Sequence, residues 1–133
     1  MGLTNKKLGN SFEAEFCEIL SNKGFWAHNL TQNSAGQPAD VIAAINGEVY
    51  LIDCKVCSGD KFDKRRIEEN QRSAMELWET CGNGEGLFAI KIHDQIFMVR
   101  LSVLLASPPS SLTVTEMTDN GLTLEDWFWS MGL

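Results

Sequence analysis

The sequence predicts an α/β fold in which a β-hairpin lies between two amphipathic helices. Asn46-Gly47 separates two apolar runs, about 40–46 and 48–56, and this dipeptide is a strong signal for a two-residue hairpin turn. Apolar residues on both sides of the hairpin recur at helical spacing, and further apolar runs downstream predict more strands. With 133 residues, the chain is long enough for one domain with its own core.

The first predicted element is a helix over about residues 6–23. Its apolar stripe consists of Leu8, Phe12, Phe16, Ile19 and Leu20. Gly24 ends the helix, and a strand follows over 25–30. Glu13 lies at the margin of the stripe, where a carboxylate can reach a cleft beside the core. The alternative for Glu13 is a solvated helix face.

Polar residues at the open end of the hairpin predict a chemical site. Folding back at the turn brings Asp40 close to Asp53. Because side chains alternate along a strand, Asp53 and Lys55 share a face while Cys54 points away. Two carboxylates beside an ammonium suit a hard divalent cation and the stabilisation of a phosphoryl charge. The alternative is that Asp40 only starts a strand and that Asp53 and Lys55 form a solvated pair.

A second helix is predicted over about residues 66–80. One side of it carries Ile67, Gln71, Ala74 and Trp78. Gln71 is the polar member of this stripe, and a buried amide needs hydrogen-bond partners. Two buried strands are predicted next, over 87–90 and 96–99, and then a short helix over 102–106.

The segment between the hairpin and the second helix is predicted to be a cationic loop. It carries Lys61, Lys64, Arg65 and Arg66. Such a composition suits contact with phosphates, although an ordinary charged loop has the same composition.

The net charge of −7 is unfavourable for binding a polyanion, but it is unevenly distributed. Residues 1–72 contain nine Lys or Arg and ten Asp or Glu, whereas residues 73–133 contain two and eight. Because the local field matters more than the total charge, a polyanion is expected to bind the first part, with salt-sensitive affinity.

The cysteines and the terminal segment predict an intracellular, cytoplasmic protein. Cys54 and Cys57 form a single C-x-x-C pair, and His28 and His93 do not lie at ligand spacing, so reduced thiols are expected rather than zinc or redox use. No apolar run suggests a signal peptide or a membrane span, so neither secretion nor membrane contact is expected.

We predict a single domain over 1–133, with a core of about 6–101 and a C-terminal extension over 110–133. Thr123 is expected to cap a short helix. The residues expected to pack on the body are Leu124, Trp127 and Phe128. Trp129 then points elsewhere. The alternative is an aromatic contact between two copies of the chain.

The order of seven residues over about 8–100 resembles that of the PD-(D/E)xK nuclease superfamily. These residues are Gly9, Glu13, Ser34, Asp40, Asp53, Lys55 and Gln71. Within the superfamily, the chain is most similar to Holliday junction resolvases of the RecU and archaeal Hjc types. The resemblance implies a restriction-endonuclease-like α/β core, in which a central mixed β-sheet with an antiparallel hairpin is flanked by helices. It also implies Mg²⁺, with Mn²⁺ able to substitute, and a homodimer that cuts branched DNA.

The resemblance implies a role for each matching residue. Asp40 and Asp53 resemble the metal-binding carboxylates, and Lys55 resembles the catalytic lysine. Glu13 resembles the helix-borne acid of the Hjc pattern, and Gln71 the glutamine that closes the metal site in the RecU pattern. All five are candidate catalytic residues, and all except Lys55 are candidate metal ligands.

Further residues are candidates for DNA contact. They are Lys6, Lys7, Ser34, Lys61, Lys64, Arg65, Arg66 and Arg72. Ser34 lies where these resolvases have a mobile serine-bearing loop. The chain also departs from the family pattern: Asp53 replaces a commoner glutamate, Pro38 replaces a threonine, and Asn29 lies near the usual place of an arginine.

The expected function is therefore a Mg²⁺-dependent endodeoxyribonuclease acting on four-way DNA junctions in recombination and repair, with a phage or mobile element as its source. One alternative is a repair or restriction-type nuclease on the same fold. Another is a non-catalytic nucleic-acid-binding module, against which the presence of all five candidate catalytic residues argues.

Overall fold

The computed structural model describes residues 5–30, 39–106 and 108–133, with side chains described from residue 11 onward in these ranges. Its main feature is a six-stranded sheet. The strands of this sheet are β1 (Trp26–Asn29), β2 (Val41–Ile45), β3 (Glu48–Cys57), β5 (Leu87–Ile92), β6 (Gln95–Arg100) and β8 (Leu122–Thr123), in the order β1-β2-β3-β5-β6-β8. A second, two-stranded sheet consists of β4 (Lys61–Asp63) and β7 (Ser111–Thr113).

The main sheet is mixed, because β3 and β5 pair in parallel while all other neighbouring strands of this sheet pair antiparallel. The predicted hairpin forms around Asn46 and Gly47, whose φ angles of 51° and 81° fit a two-residue turn. Its register pairs Val41 with Ile52. Parallel strands need a crossover connection, and the helix over Glu69–Thr80 lies in that connection.

Helices cover both faces of the sheet. They are α1 (Asn5–Asn22), α2 (Glu69–Thr80), α3 (Leu101–Leu105), α4 (Val114–Asn120) and α5 (Leu124–Ser130). Helices α1 and α5 pack on one face, where Phe16 and Leu20 are fully buried as their helical stripe predicts. Helices α2, α3 and α4 pack on the other face around Phe88 and Met75. This is the predicted arrangement of a mixed sheet with a hairpin flanked by helices.

The residues after 110 take part in the sheet and the core. Strand β8 pairs with β6, and Thr123 caps α5 by accepting a hydrogen bond from the Asp126 N–H at 3.1 Å. Trp127 stacks on Phe25 with ring centroids 5.6 Å apart, whereas Trp129 is 79% exposed. The prediction that this helix packs on the body is confirmed. Strands β7 and β8 and helix α4 were not predicted.

The cationic segment after β3 is not a loop, so that prediction was wrong. Strand β4 pairs with β7, which places Phe62 opposite Leu112, and both side chains are buried. A 3₁₀ turn over Lys64–Arg66 follows, and Asp63 caps it by accepting from the Arg65 N–H at 2.9 Å. The partner strand is distant in the sequence, so no local pattern predicts this pairing.

The cysteine thiols are all free. Cys54 packs in the cluster beneath α1, while Cys57 packs against the cluster on the opposite face of the sheet. The two thiols of the C-x-x-C pair therefore point apart and cannot share a ligand or a disulfide. Among the described helices, none combines the length and the apolar character that crossing a bilayer requires.

Candidate active site

The candidate site lies where β3 extends beyond the end of β2. Pairing with β2 stops at Ile52, whereas β3 continues alongside β5 to Cys57. Asp40 stands at the first position beyond the ladder, and its N–H still donates to the Ile52 carbonyl at 3.1 Å. Its Oδ2 accepts from the Cys54 N–H at 2.8 Å. The Asp40 carboxylate thus accepts a hydrogen bond from a backbone N–H of β3 that has no strand beside it on that edge. The hairpin brings Asp40 beside Asp53, as predicted.

Asp53 and Lys55 form a buried ion pair. The Lys55 Nζ lies 3.2 Å from the Asp53 Oδ2, and the exposed fractions of the two side chains are 11% and 0%. The alternative of a solvated surface pair is therefore wrong. Because a buried charge is costly unless it is paired, this cluster has a strict requirement for partners.

Gln71 of α2 supplies some of those partners. Its Nε2 donates to the Asp53 Oδ1 at 3.0 Å, and its Oε1 accepts from the Lys55 Nζ at 3.3 Å. The Oε1 also accepts from the Glu68 N–H at 3.2 Å, within a capping box at the start of α2. The amide thus orients Asp53 and Lys55 and anchors both to the helix. Glutamate is not among the residues that favour an N-cap position, so this capping box was not predictable from the sequence pattern.

Helix α1 brings a third carboxyl group to the cluster. Glu13 hydrogen-bonds to Asp40, and its partial burial, with the charge of Asp40, raises the pKa of Glu13 to about 7. Burial, followed by the charge of Asp40, also raises the pKa of Asp53 well above its usual range, although Lys55 opposes this. Three neighbouring carboxyl groups repel one another when ionised, so some must bind protons or a cation.

A divalent cation fits this set of oxygens. The Asp53 Oδ2 is buried, and within the described part of the chain its nearest cation is the Lys55 Nζ at 3.2 Å, with no well-formed hydrogen bond to this oxygen. Within the described ranges, no three His, Cys, Asp or Glu side chains already form a complete metal site. Mg²⁺ does not need one, since it is usually held by one or two carboxylates with water and phosphate oxygens.

Comparison with known proteins gives the family. The model of the archaeal Holliday junction resolvase (hjc) family matches residues 4–131. The chain belongs to this family. The match extends beyond the span of about 8–100 that the motifs indicate, and it includes the residues after 110.

The chain is also similar to one named relative and to one solved structure. The chain is 30% identical over 93 residues to a protein of Methanocaldococcus jannaschii named crossover junction endodeoxyribonuclease Hjc. The match covers 68% of this chain but 64% of that protein, which is less than two thirds of its length. The structure is similar to that of Archaeoglobus fulgidus Hjc, described as a Holliday junction resolvase from an archaeal hyperthermophile, with a TM-score of 0.71 and 15% identity. That match covers 90% of this chain and 99% of the other and confirms the fold.

The predicted DNA-contacting cations of this Hjc-family chain do not form one patch. Arg66 donates from NH1 to the Val56 carbonyl at 2.8 Å, next to Lys55 on β3. Lys64 turns away and donates from Nζ to the Ala106 carbonyl at 2.7 Å. Lys61 is exposed on β4.

Two further predicted contacts are engaged with neighbouring acids. Arg65 pairs with Asp63 at 2.7 Å, and Arg72 pairs with Glu76 at 2.7 Å, one helical turn away. Ser34, Pro38 and the side chains of Lys6 and Lys7 lie outside the described part of the chain.

Proposed function

We propose that this chain is a Mg²⁺-dependent endodeoxyribonuclease that cleaves phosphodiester bonds of branched DNA, with the four-way Holliday junction as its substrate. The observation that carries the proposal is the buried Asp53 carboxylate beside Asp40 and Lys55, in a chain of the archaeal Holliday junction resolvase family. The name of the M. jannaschii relative, crossover junction endodeoxyribonuclease, supports it.

Each residue of the cluster has a role in the proposed reaction. Asp40 and Asp53 would hold the metal, with Glu13 beside them. When bound, the cation supplies a Lewis acid for the phosphoryl oxygens and activates water. Lys55 places its ammonium where negative charge develops in the transition state. Gln71 keeps Asp53 and Lys55 oriented for these roles.

The test is cleavage of a panel of labelled DNAs that share sequences. A four-way junction, a flap and a linear duplex are incubated with the protein in Mg²⁺, in Mn²⁺ and in EDTA. We expect the junction to be cut in either metal and to remain intact in EDTA, since both cations prefer oxygen ligands. Equal cutting of flap or linear DNA would favour a repair or restriction-type nuclease. Junction binding without cutting in either metal would favour a non-catalytic module.

Metal binding is expected to stabilise the fold at the carboxylate cluster. Because the pKa values of Glu13 and Asp53 are raised, the folded state binds protons more tightly than the unfolded state. Without metal, the stability that Glu13 contributes is present below its unfolded pKa of about 4.5 and is lost as pH rises through about 7. The raised pKa of Asp53 acts in the same direction.

At pH 7.5, Mg²⁺ at ten times its Kd should contribute about 1.4 kcal/mol to stability. This corresponds to a rise in Tm of about 3–6 °C for a domain of this size. Differential scanning fluorimetry with and without Mg²⁺ measures the shift, and Asp53→Asn is the matched control that should remove it. A shift of the same size in Asp53→Asn would place the metal elsewhere.

We propose that the chain acts as a homodimer, and one exposed face of the sheet is a candidate for its interface. Trp26, Ala44 and Val49 face each other across β1, β2 and β3, so their side chains share one face of the sheet. Trp26 and Val49 are 62% and 40% exposed, and no described helix covers this end of the face. An apolar patch of this kind suits a second copy around a two-fold axis, which would present two active sites to strands of like polarity.

We expect light scattering at micromolar concentration to give a dimer. Trp26→Glu should shift it to monomer, because a charge at the centre of an apolar contact would be buried without a partner. Trp129→Glu is the control, since Trp129 is also exposed, at 79%, but belongs to α5 on the opposite face. A strict monomer, both free and on DNA, would contradict the dimer. If Trp129→Glu, but not Trp26→Glu, dissociates the dimer, the interface lies at α5 instead.

A further inference from the structure

Arg66 occupies the free edge of the strand that carries Asp53 and Lys55. Its NH1 donates to the Val56 carbonyl at 2.8 Å and approaches the Cys57 Sγ at 3.7 Å. The Val56 carbonyl is two residues beyond the Cys54 N–H, which donates to Asp40 instead of to β5. Backbone groups of residues two apart point to the same strand edge, so Arg66 and Asp40 lie along one edge of β3. The two backbone groups that they contact, on Cys54 and Val56, lie about 7 Å apart along the strand.

The surrounding structure fixes the position of this guanidinium. The Arg66 Cζ lies 5.7 Å from the centre of the Phe62 ring, and Phe62 of β4 is fully buried in the core. The 3₁₀ turn that ends at Arg66 is capped by Asp63. A planar cation held on an aromatic face and by a carbonyl is oriented before any ligand arrives.

Arg66 also differs from the other arginines in its charge partners. Arg65, Arg72 and Arg100 each form an ion pair with a carboxylate. Among the described residues, Arg66 has no carboxylate partner within ion-pair distance. Both hydrogen-bond contacts of Arg66 use NH1, which leaves donors on NH2 and Nε for an anion.

We propose that Arg66 binds a backbone phosphate next to the scissile one, on the DNA strand that the site cleaves. This inference rests on the proposed nuclease function. Guanidinium binds phosphate through two parallel hydrogen bonds. Because Arg66 and Asp40 hold backbone groups two residues apart on the same edge of β3, a DNA strand with its scissile phosphate at the carboxylates can bring a neighbouring phosphate to Arg66. In this arrangement Arg66 sets the register of the strand over Asp40 and Asp53, while Lys64 and Arg65 contribute less.

The test combines protein variants with a modified DNA. Cleavage rates and apparent KM on a labelled four-way junction are measured in Mg²⁺, and binding across salt is measured in EDTA. Arg66→Ala should raise the apparent KM and the Kd roughly 10- to 100-fold, with a much smaller change in kcat. The salt slope should fall by about one. Arg66→Lys should keep the slope but recover only part of the affinity, because it loses the paired hydrogen bonds.

Two controls separate phosphate binding from a structural role. Arg100→Ala removes an equally charged, exposed side chain of β6 that pairs with Glu85 and should leave KM and slope unchanged. Neutral methylphosphonates placed singly around the cut should weaken wild type at one position and should not weaken Arg66→Ala further at that position. If Arg66→Ala lowers Tm, the same comparison is made with Arg66→Lys.

An Arg66→Ala variant with the KM and salt slope of wild type would overturn the assignment. It would also be overturned if every methylphosphonate weakened binding by Arg66→Ala as much as it weakens binding by wild type. Absence of junction cleavage by wild type would instead overturn the proposed function itself.

Discussion

Asp53→Asn is expected to abolish DNA cleavage while the fold remains intact. Metal catalysis is worth several kcal/mol, so losing the ligand should reduce the rate roughly 1,000-fold or more. The Asn Oδ1 can still accept the hydrogen bond from the Gln71 Nε2. Burial raises the pKa of Asp53, so a neutral group is tolerated there, but the substitution removes the ion-pair partner of Lys55. We therefore expect a lower Tm without metal but a cooperative melt of a folded protein.

Junction binding provides the control for Asp53→Asn. Phosphate contacts come from other residues, so affinity in EDTA should match wild type. Gel-based cleavage, a binding titration and a thermal melt on the same preparation measure the three quantities. Wild-type cleavage by the Asn variant at saturating Mg²⁺ would contradict the role of Asp53.

Lys55→Ala is expected to slow cleavage roughly 100- to 1,000-fold, because its ammonium stabilises charge that develops mainly in the transition state. Lys55 lies 3.2 Å from Asp53 and lowers the pKa of that carboxyl group, so the variant should also bind Mg²⁺ less well near neutral pH. The loss in kcat should persist when Mg²⁺ is raised to saturation. Single-turnover kinetics over a Mg²⁺ titration separate the two effects.

Lys55→Arg is the informative companion variant. A planar guanidinium does not replace a compact ammonium, and the 11% exposure of the Lys55 side chain leaves little room for the larger group. We therefore expect poor rescue of the rate. If Lys55→Ala cuts at the wild-type rate, Lys55 only neutralises Asp53.

The parts of the fold that depend on local pattern were predictable from the sequence. The Asn46-Gly47 turn fixes the hairpin register, and that register alone places Asp40 beside Asp53. Gln71 was predicted to be buried from its place on an apolar stripe, and it is 8% exposed. Periodicity and turn chemistry act over a few residues, so they can be read directly.

Features that depend on distant partners could not be predicted in this way. Strand β4 exists because it pairs with Ser111–Thr113, and this pairing turns a cationic loop into a support for Arg66. The backbone donor at Cys54 depends on where β2 ends relative to β3. Arg65 and Arg66 are adjacent in the sequence but bind different partners, Asp63 and the Val56 carbonyl. This difference likewise depends on the tertiary structure.

The proposal that Asp40 and Asp53 hold the catalytic metal is tested most directly by locating a bound paramagnetic ion. Mn²⁺ is titrated into isotopically labelled protein, and the broadening of each amide signal is recorded by NMR. The account predicts that the signals of Cys54, Lys55 and Gln71 broaden first, and that the same titration of Asp53→Asn leaves them sharp. Broadening confined to residues far from this cluster, or equal broadening in Asp53→Asn, would contradict it.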